Sequence, residues 1–362
     1  MKDERAHLQL FDLIARDWHL PTPATEVLFN ANSTGVAFGC ADGSIHLAAT
    51  ADKASPNIRT RRAVDTGRVT IAPREKPVSP LKTADYTVGR SSALARHGDT
   101  NFIFAKDTGR INTLTPGGIA VHLPDRAPGP ISVVAASADG ETLAYACDKT
   151  AYVGTNPLSH PNPISAMAFS PDGTTLAITH GSGLTRWSLG ANVGALHCTL
   201  PAPATGLLWA ADGQTLAILL QTDGFCMVKA DAPDAQHLGS FPAPVRSVGF
   251  NPATQTIIAS GAFRVAGWTL ADNQNVMTGK SGLILIDSIA TCPTRNLVAV
   301  GYANGLLSLA EIGRPSEILL REDTGATICA MAWSGDGKFL ALAGADGSAA
   351  LVEFPDTMFK SN

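Results

Sequence analysis

Charge is scarce in this chain. Asp, Glu, Lys and Arg make up 16% of its 362 residues, against about 25% in ordinary soluble domains. Aromatic residues are few as well, at 6%. No uninterrupted apolar run reaches the ~18 residues that a membrane-spanning helix needs. No signal-peptide core follows the charged start Met-Lys-Asp-Glu-Arg-Ala-His. A cytoplasmic location is the expectation from these two absences. The six cysteines, at 40, 147, 198, 226, 292 and 329, form no Cys-x-x-Cys pair. That excludes the usual zinc-finger and dithiol spacings and leaves buried, reduced thiols as the expectation. A net charge of −4 gives no global attraction to nucleic acid or to an anionic membrane. Catalytic signatures are missing too: there is no Gly-x-Ser-x-Gly elbow, no Gly-x-x-x-x-Gly-Lys-Ser/Thr loop and no His-Glu-x-x-His.

What the chain does have is Gly (34) and Pro (23), placed between short apolar runs. Residues 163–188 show the pattern most clearly. Ile164 to Phe169, Leu176 to Thr179 and Leu184 to Trp187 are three such runs. Ser-Pro-Asp-Gly (170–173) joins the first pair and Gly-Ser-Gly (181–183) the second. Runs this short, split by tight-turn residues, read as a β-meander. One meander cannot bury both faces and needs neighbours like itself. The phrase recurs eight times, with strand pairs beginning near Glu26, Ala93, Ile131, Ile164, Gly206, Ser247, Ser288 and Cys329. Asp-Gly closes the first turn at 139–140, 172–173, 212–213 and 336–337. Asp caps the turn backbone and Gly takes its positive φ. Those Asp residues are therefore turn caps and not paired catalytic carboxylates.

These units resemble WD-repeat β-propeller blades, over roughly residues 8–355. Phe-Ser-Pro-Asp-Gly-x-x-Leu-Ala at 169–177 carries the likeness best. The chain has no Gly-His dipeptide and closes no strand with Trp-Asp; Arg-Trp-Ser (186–188) and Gly-Trp-Thr (267–269) come nearest. The expectation is an all-β fold: a single closed propeller of four-stranded antiparallel blades, held by apolar packing between them. Trp209 and Trp333 share one strand position with Phe169 and Phe250, which assigns them to that packing. Eight starts imply eight blades, at about 24–66, 90–124, 130–159, 163–203, 204–244, 245–284, 285–326 and 327–355. Seven is the alternative if the 25–130 region divides otherwise. Blade three is short, and blades four to eight read as regular. The last unit lacks an outer strand, which residues 8–20 are expected to supply, closing the ring.

Residues 53–97 break the spacing. They hold ten Lys or Arg against three acids, so this segment is +7 and the rest of the chain −11. Four prolines, at 56, 73, 77 and 80, rule out a long regular element. The segment reads as a basic insertion (53–91) beside the outer strand of blade one. Long loops on rigid scaffolds are where binding concentrates.

The WD-repeat resemblance implies a non-catalytic protein–protein scaffold with no cofactor. A protein partner, acidic by complementarity, is expected on a propeller face or on the basic loop. The candidate contacts are Arg59, Arg61, Arg62, Arg68, Arg74, Lys76, Lys82 and Lys106. Membrane binding is not expected, and RNA binding through the basic loop is a weaker reading. The alternative from another class is zinc handling. Cys40, Lys106, Cys147 and His180 close the second strand of blades one to four and would share one face of the ring. Two cysteines and a histidine suit zinc, and a lysine between them favours thiolates. Against this, equivalent points on adjacent blades lie too far apart for bonds of about 2.0–2.3 Å to one ion.

Overall fold

The computed structural model describes residues 8–66, 68–85, 91–190, 194–230 and 232–359. The charged first seven residues and Arg90 lie outside that set. Among the described residues, no helix is long and apolar enough to cross a membrane.

The chain opens with a short helix, α1 (Leu10–Ile14), and strand β1 (Ala15–His19). Blade one begins with β2 (Ala24–Phe29), β3 (Gly35–Cys40) and β4 (Ile45–Ala49). Then comes the insertion: helix α2 (Pro56–Arg59) and the strands β5 (Thr60–Arg62) and β6 (Val69–Ile71). Only after it does β7 (Lys82–Thr83) complete the blade, in the order β2-β3-β4-β7. Seven further antiparallel sheets follow, making an eight-bladed β-propeller. In the last blade β1 is the outer strand, pairing antiparallel with Ser348–Glu353 in a register that sets Ala15 against Val352 and His19 against Ser348. The chain thus closes on itself as the sequence implies.

The turns form as their residues dictate. In blade four the Asp172 carboxylate accepts from the Thr174 amide at 3.1 Å, and Gly173 takes φ +72°. Hydrogen bonds from Ser170 and from the Thr174 amide hold that carboxyl below its usual range. Asp139 and Asp336 repeat the arrangement.

The core is divided like the chain. Eight apolar clusters lie one in each seam between neighbouring blades. Phe29, Val36 and Phe38 of blade one meet Ala341 and Leu351 of blade eight, for example. Each large side chain fully buried there contributes about 1.5–3 kcal/mol. Polar stitches cross the seams at one repeated inner-strand position. Trp209 donates to the Ala168 carbonyl at 3.2 Å, Trp333 to Ala290 at 2.9 Å and Thr291 to Phe250 at 2.9 Å. Trp209 and Trp333 therefore both pack and bond between blades.

Blade three keeps within the sequence reading of three strands or a short irregular fourth, and blade six departs from it. Blade three keeps a short fourth strand, Asn156–Ser159, despite its prolines. Blade six, read as regular, has three strands. Its fourth is reduced to isolated bridges, Val265 to Thr278 and Trp268 to Asn275. The Phe263, Met277, Leu283 and Ile284 side chains nearby are exposed.

Glu26 stands at the inner end of the seam between blades one and two. Thr25, Gly39, Cys40, Ala93 and Leu94 line its crevice. The matching residues Ala166, Gly206, Ser288 and Ala330 are small. The crevice walls desolvate the Glu26 carboxyl and push it up to about 7, although the side chain still reaches solvent. An acid raised in the folded state contributes stability that is complete below about pH 4.5 and is lost as pH rises to about 7. Glu26→Gln is therefore expected to raise the melting temperature at pH 8 and to leave it unchanged at pH 4.5. Because the side chain is exposed, water screens the charge, and the gain is at most on the order of 1 kcal/mol. Equal shifts at both pH values in a thermal-melt series would contradict this.

Candidate docking surface

The insertion is fixed at its base and free at its tip. Ser55 caps α2, accepting from the Asn57 amide at 3.2 Å, while its hydroxyl donates to the buried Glu353 carboxylate of blade eight. Pro56 at the first helical position needs no amide partner. The Asn57 side-chain oxygen accepts from the Asp356 amide at 2.9 Å. Arg59 turns inward. It donates to the carbonyls of Ala54 at 2.8 Å and Leu13 at 2.6 Å, and to that of Ala72. Arg74 pairs with Asp52, and Arg16 of β1 reaches the same carboxylate at 3.9 Å while donating to the Thr50 carbonyl at 2.9 Å. Burial opposes ionisation of Asp52. The hydrogen bonds from Arg74 and the Ala54 amide outweigh it, and Asp52 stays below the usual carboxylate range.

Beyond this base β5 and β6 pair as a two-stranded sheet, Thr60 against Ile71 and Arg62 against Val69, separate from every blade. Val64 near its tip is wholly exposed. Arg61, Arg62 and Arg68 are exposed on this hairpin, and Lys76 and Lys82 are exposed on the return to blade one. These five of the eight candidate cations face solvent. Arg59 and Arg74 are half-buried and hold the insertion down. Lys106 is 2% exposed, its ammonium 6.0 Å from the Phe104 ring centre. In sequence it is a lysine at the end of a strand, and its burial takes it out of any solvent-facing surface.

The structure does not bring Cys40, Cys147 and His180 together as a ligand set. Cys40 is buried, with its thiol 4.0 Å from the Phe38 carbonyl; the Cys147 thiol points to the Gly129 carbonyl at 3.6 Å. Burial pushes both thiols up, so Lys106 does not draw them into thiolates. His180 belongs to a different group altogether. Among the described residues no three His, Cys, Asp or Glu side chains are arranged to hold a metal ion. All six cysteines are free; Cys40, Cys198, Cys226 and Cys292 are buried as expected, but Cys329 is exposed.

The group around His180 was hidden in the sequence. His160 precedes blade four, His180 closes its second strand, Thr185 lies on its third and His197 on its fourth. The Thr185 hydroxyl sits 3.0 Å from His197 Nδ1, 3.2 Å from His180 Nε2 and 3.5 Å from His160 Nδ1. The His160 and His180 rings stack at 4.5 Å between centres. Their outer nitrogens, His160 Nε2 and His180 Nδ1, are buried without hydrogen-bond partners. Burial, then the neighbouring imidazoles, pushes His160 down to about 4.

A family model of the anaphase-promoting complex subunit 4 WD40 domain matches residues 286–359, the last two blades. The fold is similar to that of the computationally designed Ika8 protein, with a TM-score of 0.67 and 16% identity, covering 96% of this chain and 100% of that one. No curated protein shows a significant match.

Proposed function

We propose that this eight-bladed β-propeller, whose last two blades match a WD40 domain model, is an interaction scaffold of the WD-repeat type. It docks an acidic protein partner on the basic insertion between β4 and β7. Propellers of this family generally serve as rigid platforms for protein partners. The observation that carries the reading is the distribution of charge. Five solvent-facing cations lie on the anchored projection and on its return to blade one, in a chain that is −11 outside residues 53–97. A positive patch of this kind steers an acidic partner and sets its orientation.

The test compares wild type with a variant in which all five exposed cations, Arg61, Arg62, Arg68, Lys76 and Lys82, are changed to Glu, in affinity capture from host lysate. The variant is expected to keep its melting temperature, because these side chains face solvent, and to lose the captured partner. Exposed charges separated by more than about 8 Å are screened at physiological salt, so the wild-type complex should also weaken as salt is raised. Equal capture by both proteins, or none by wild type, would remove the insertion as the docking surface.

A further inference from the structure

Where the insertion folds back on blade one it leaves a cavity of about 400 Å³. Its charge is one-sided. Arg16, Lys53, Arg74, Lys76 and Lys82 line it, against the single carboxylate of Asp52, which Arg74 and Arg16 already engage. One donor inside is unspent: Arg74 Nε is buried with no hydrogen-bond partner. The walls are stiff. Pro77, Pro80 and Pro116 form part of them, and Trp18 is held by its bond to the Ser79 carbonyl at 2.8 Å.

The floor of the cavity is a sheet edge. Strand β7 pairs with β4 only at His46 and Leu47. Ala48 and Ala49 continue β4, pair with Val36 and Gly35 on one side, and have no strand on the other among the described residues. Both line the cavity. A chain laid here would extend the short β7 along blade one, taking up backbone groups that an ordinary fourth strand would use.

We propose that this cavity is the socket for an extended acidic segment of the partner. Its backbone continues the sheet beside Ala48 and Ala49, and its carboxylates enter among Lys53, Lys76 and Lys82. The proposal rests on the reading of an acidic partner given above and narrows it from the whole insertion to one site. The open sheet edge is what favours a peptide over a free anion, which has no backbone to pair. Lysine ammoniums at the rim are mobile point charges, suited to several carboxylates in succession.

The experiment measures fluorescence anisotropy of a labelled Glu-rich synthetic peptide against the full chain at low salt. A Lys-rich peptide and a single-stranded oligodeoxynucleotide serve as comparison probes. Wild type is expected to bind the Glu-rich peptide and not the Lys-rich one. Lys76→Glu/Lys82→Glu should weaken binding by about tenfold or more, and Arg61→Glu/Arg62→Glu on the hairpin by less than about twofold. Both pairs are exposed, and circular dichroism and melting temperature check folding; if the first pair is unstable, Lys76→Glu alone replaces it. Loss confined to the hairpin variant overturns the socket and leaves the acidic-partner reading standing. Equal loss in both variants also overturns the socket, since it marks diffuse attraction. No binding by wild type overturns both. An oligodeoxynucleotide that binds at least as tightly, with the same Lys76/Lys82 dependence, overturns the peptide in favour of nucleic acid.

Discussion

Removing residues 1–20 is expected to lower the melting temperature by at least about 10 °C and to make the opened ring self-associate. The segment serves three structures at once. Strand β1 covers the edge of Ser348–Glu353. Helix α1 buries Phe11 and Ile14 in the seam between blades seven and eight, and Leu20 fills the seam between eight and one. Arg16 holds the base of the insertion through the Thr50 carbonyl. The three apolar side chains alone contribute about 1.5–3 kcal/mol each, a large share of the ~5–15 kcal/mol that stabilises a typical domain. Further contacts reinforce them. Gln9 accepts from the Glu322 amide at 2.9 Å, and the Arg321 guanidinium lies 5.3 Å from the Phe11 ring centre. Calorimetry with light scattering reads both effects. A truncated protein that stayed monomeric with an unchanged melt would show that the ring does not depend on this closure.

The second large effect is one of pH. His160 is pushed down to about 4 from an ordinary value near 6.5. An imidazole depressed in the folded state contributes stability present above its unfolded value and lost as pH falls through its folded value. The window is therefore about pH 6.5 to 4, and the loss is on the order of 3 kcal/mol. The geometry gives the cause. The Thr185 hydroxyl has one proton and two lone pairs, so it satisfies three imidazole nitrogens only if at least one comes without a proton. Full protonation would give three donors for two lone pairs, beside stacked positive rings. His160→Phe keeps an aromatic ring against His180 and removes one titrating group. Its unfolding free energy is expected to fall much less than that of wild type between pH 7 and 4.5. Parallel stability curves for the two proteins in urea would refute the account. Glu26 works in the opposite sense over part of this range, so Glu26→Gln and His160→Phe should change the slope of the pH curve in opposite directions.

The blades were legible because their information is local. A strand pair and its Asp-Gly turn are encoded within about fifteen residues, and turn chemistry fixes the register. Closure was legible from a missing strand at one end of the repeat and a spare one at the other. What escaped the sequence depends on partners far along the chain. His160, His180 and His197 share no ligand-like spacing, and only the arrangement of four different segments gathers them on Thr185. Lys106 reads as a surface cation until its blade is packed. Arg59 and Arg74 look identical to Arg61 and Arg62 in composition. Which of them turn inward is decided by carbonyls at Leu13 and Ala72 and by Asp52. Blade six shows a related limit: apolar alternation encodes the two faces of a sheet and says little about its outer edge, so the loss of a fourth strand leaves no mark in the pattern.

The place where the ring is fastened has a mechanical consequence. Because β1 belongs to the last blade and β2 to the first, the backbone itself crosses the seam between them. The only break in the circle lies inside a sheet, between β1 and Ser348–Glu353. A load that widens the ring there must break the five residue pairs of β1 as well as separate the apolar seam between blades eight and one. The molecule behaves as a hoop with a lapped joint, and it can tolerate strain from a partner gripping one sector without springing open.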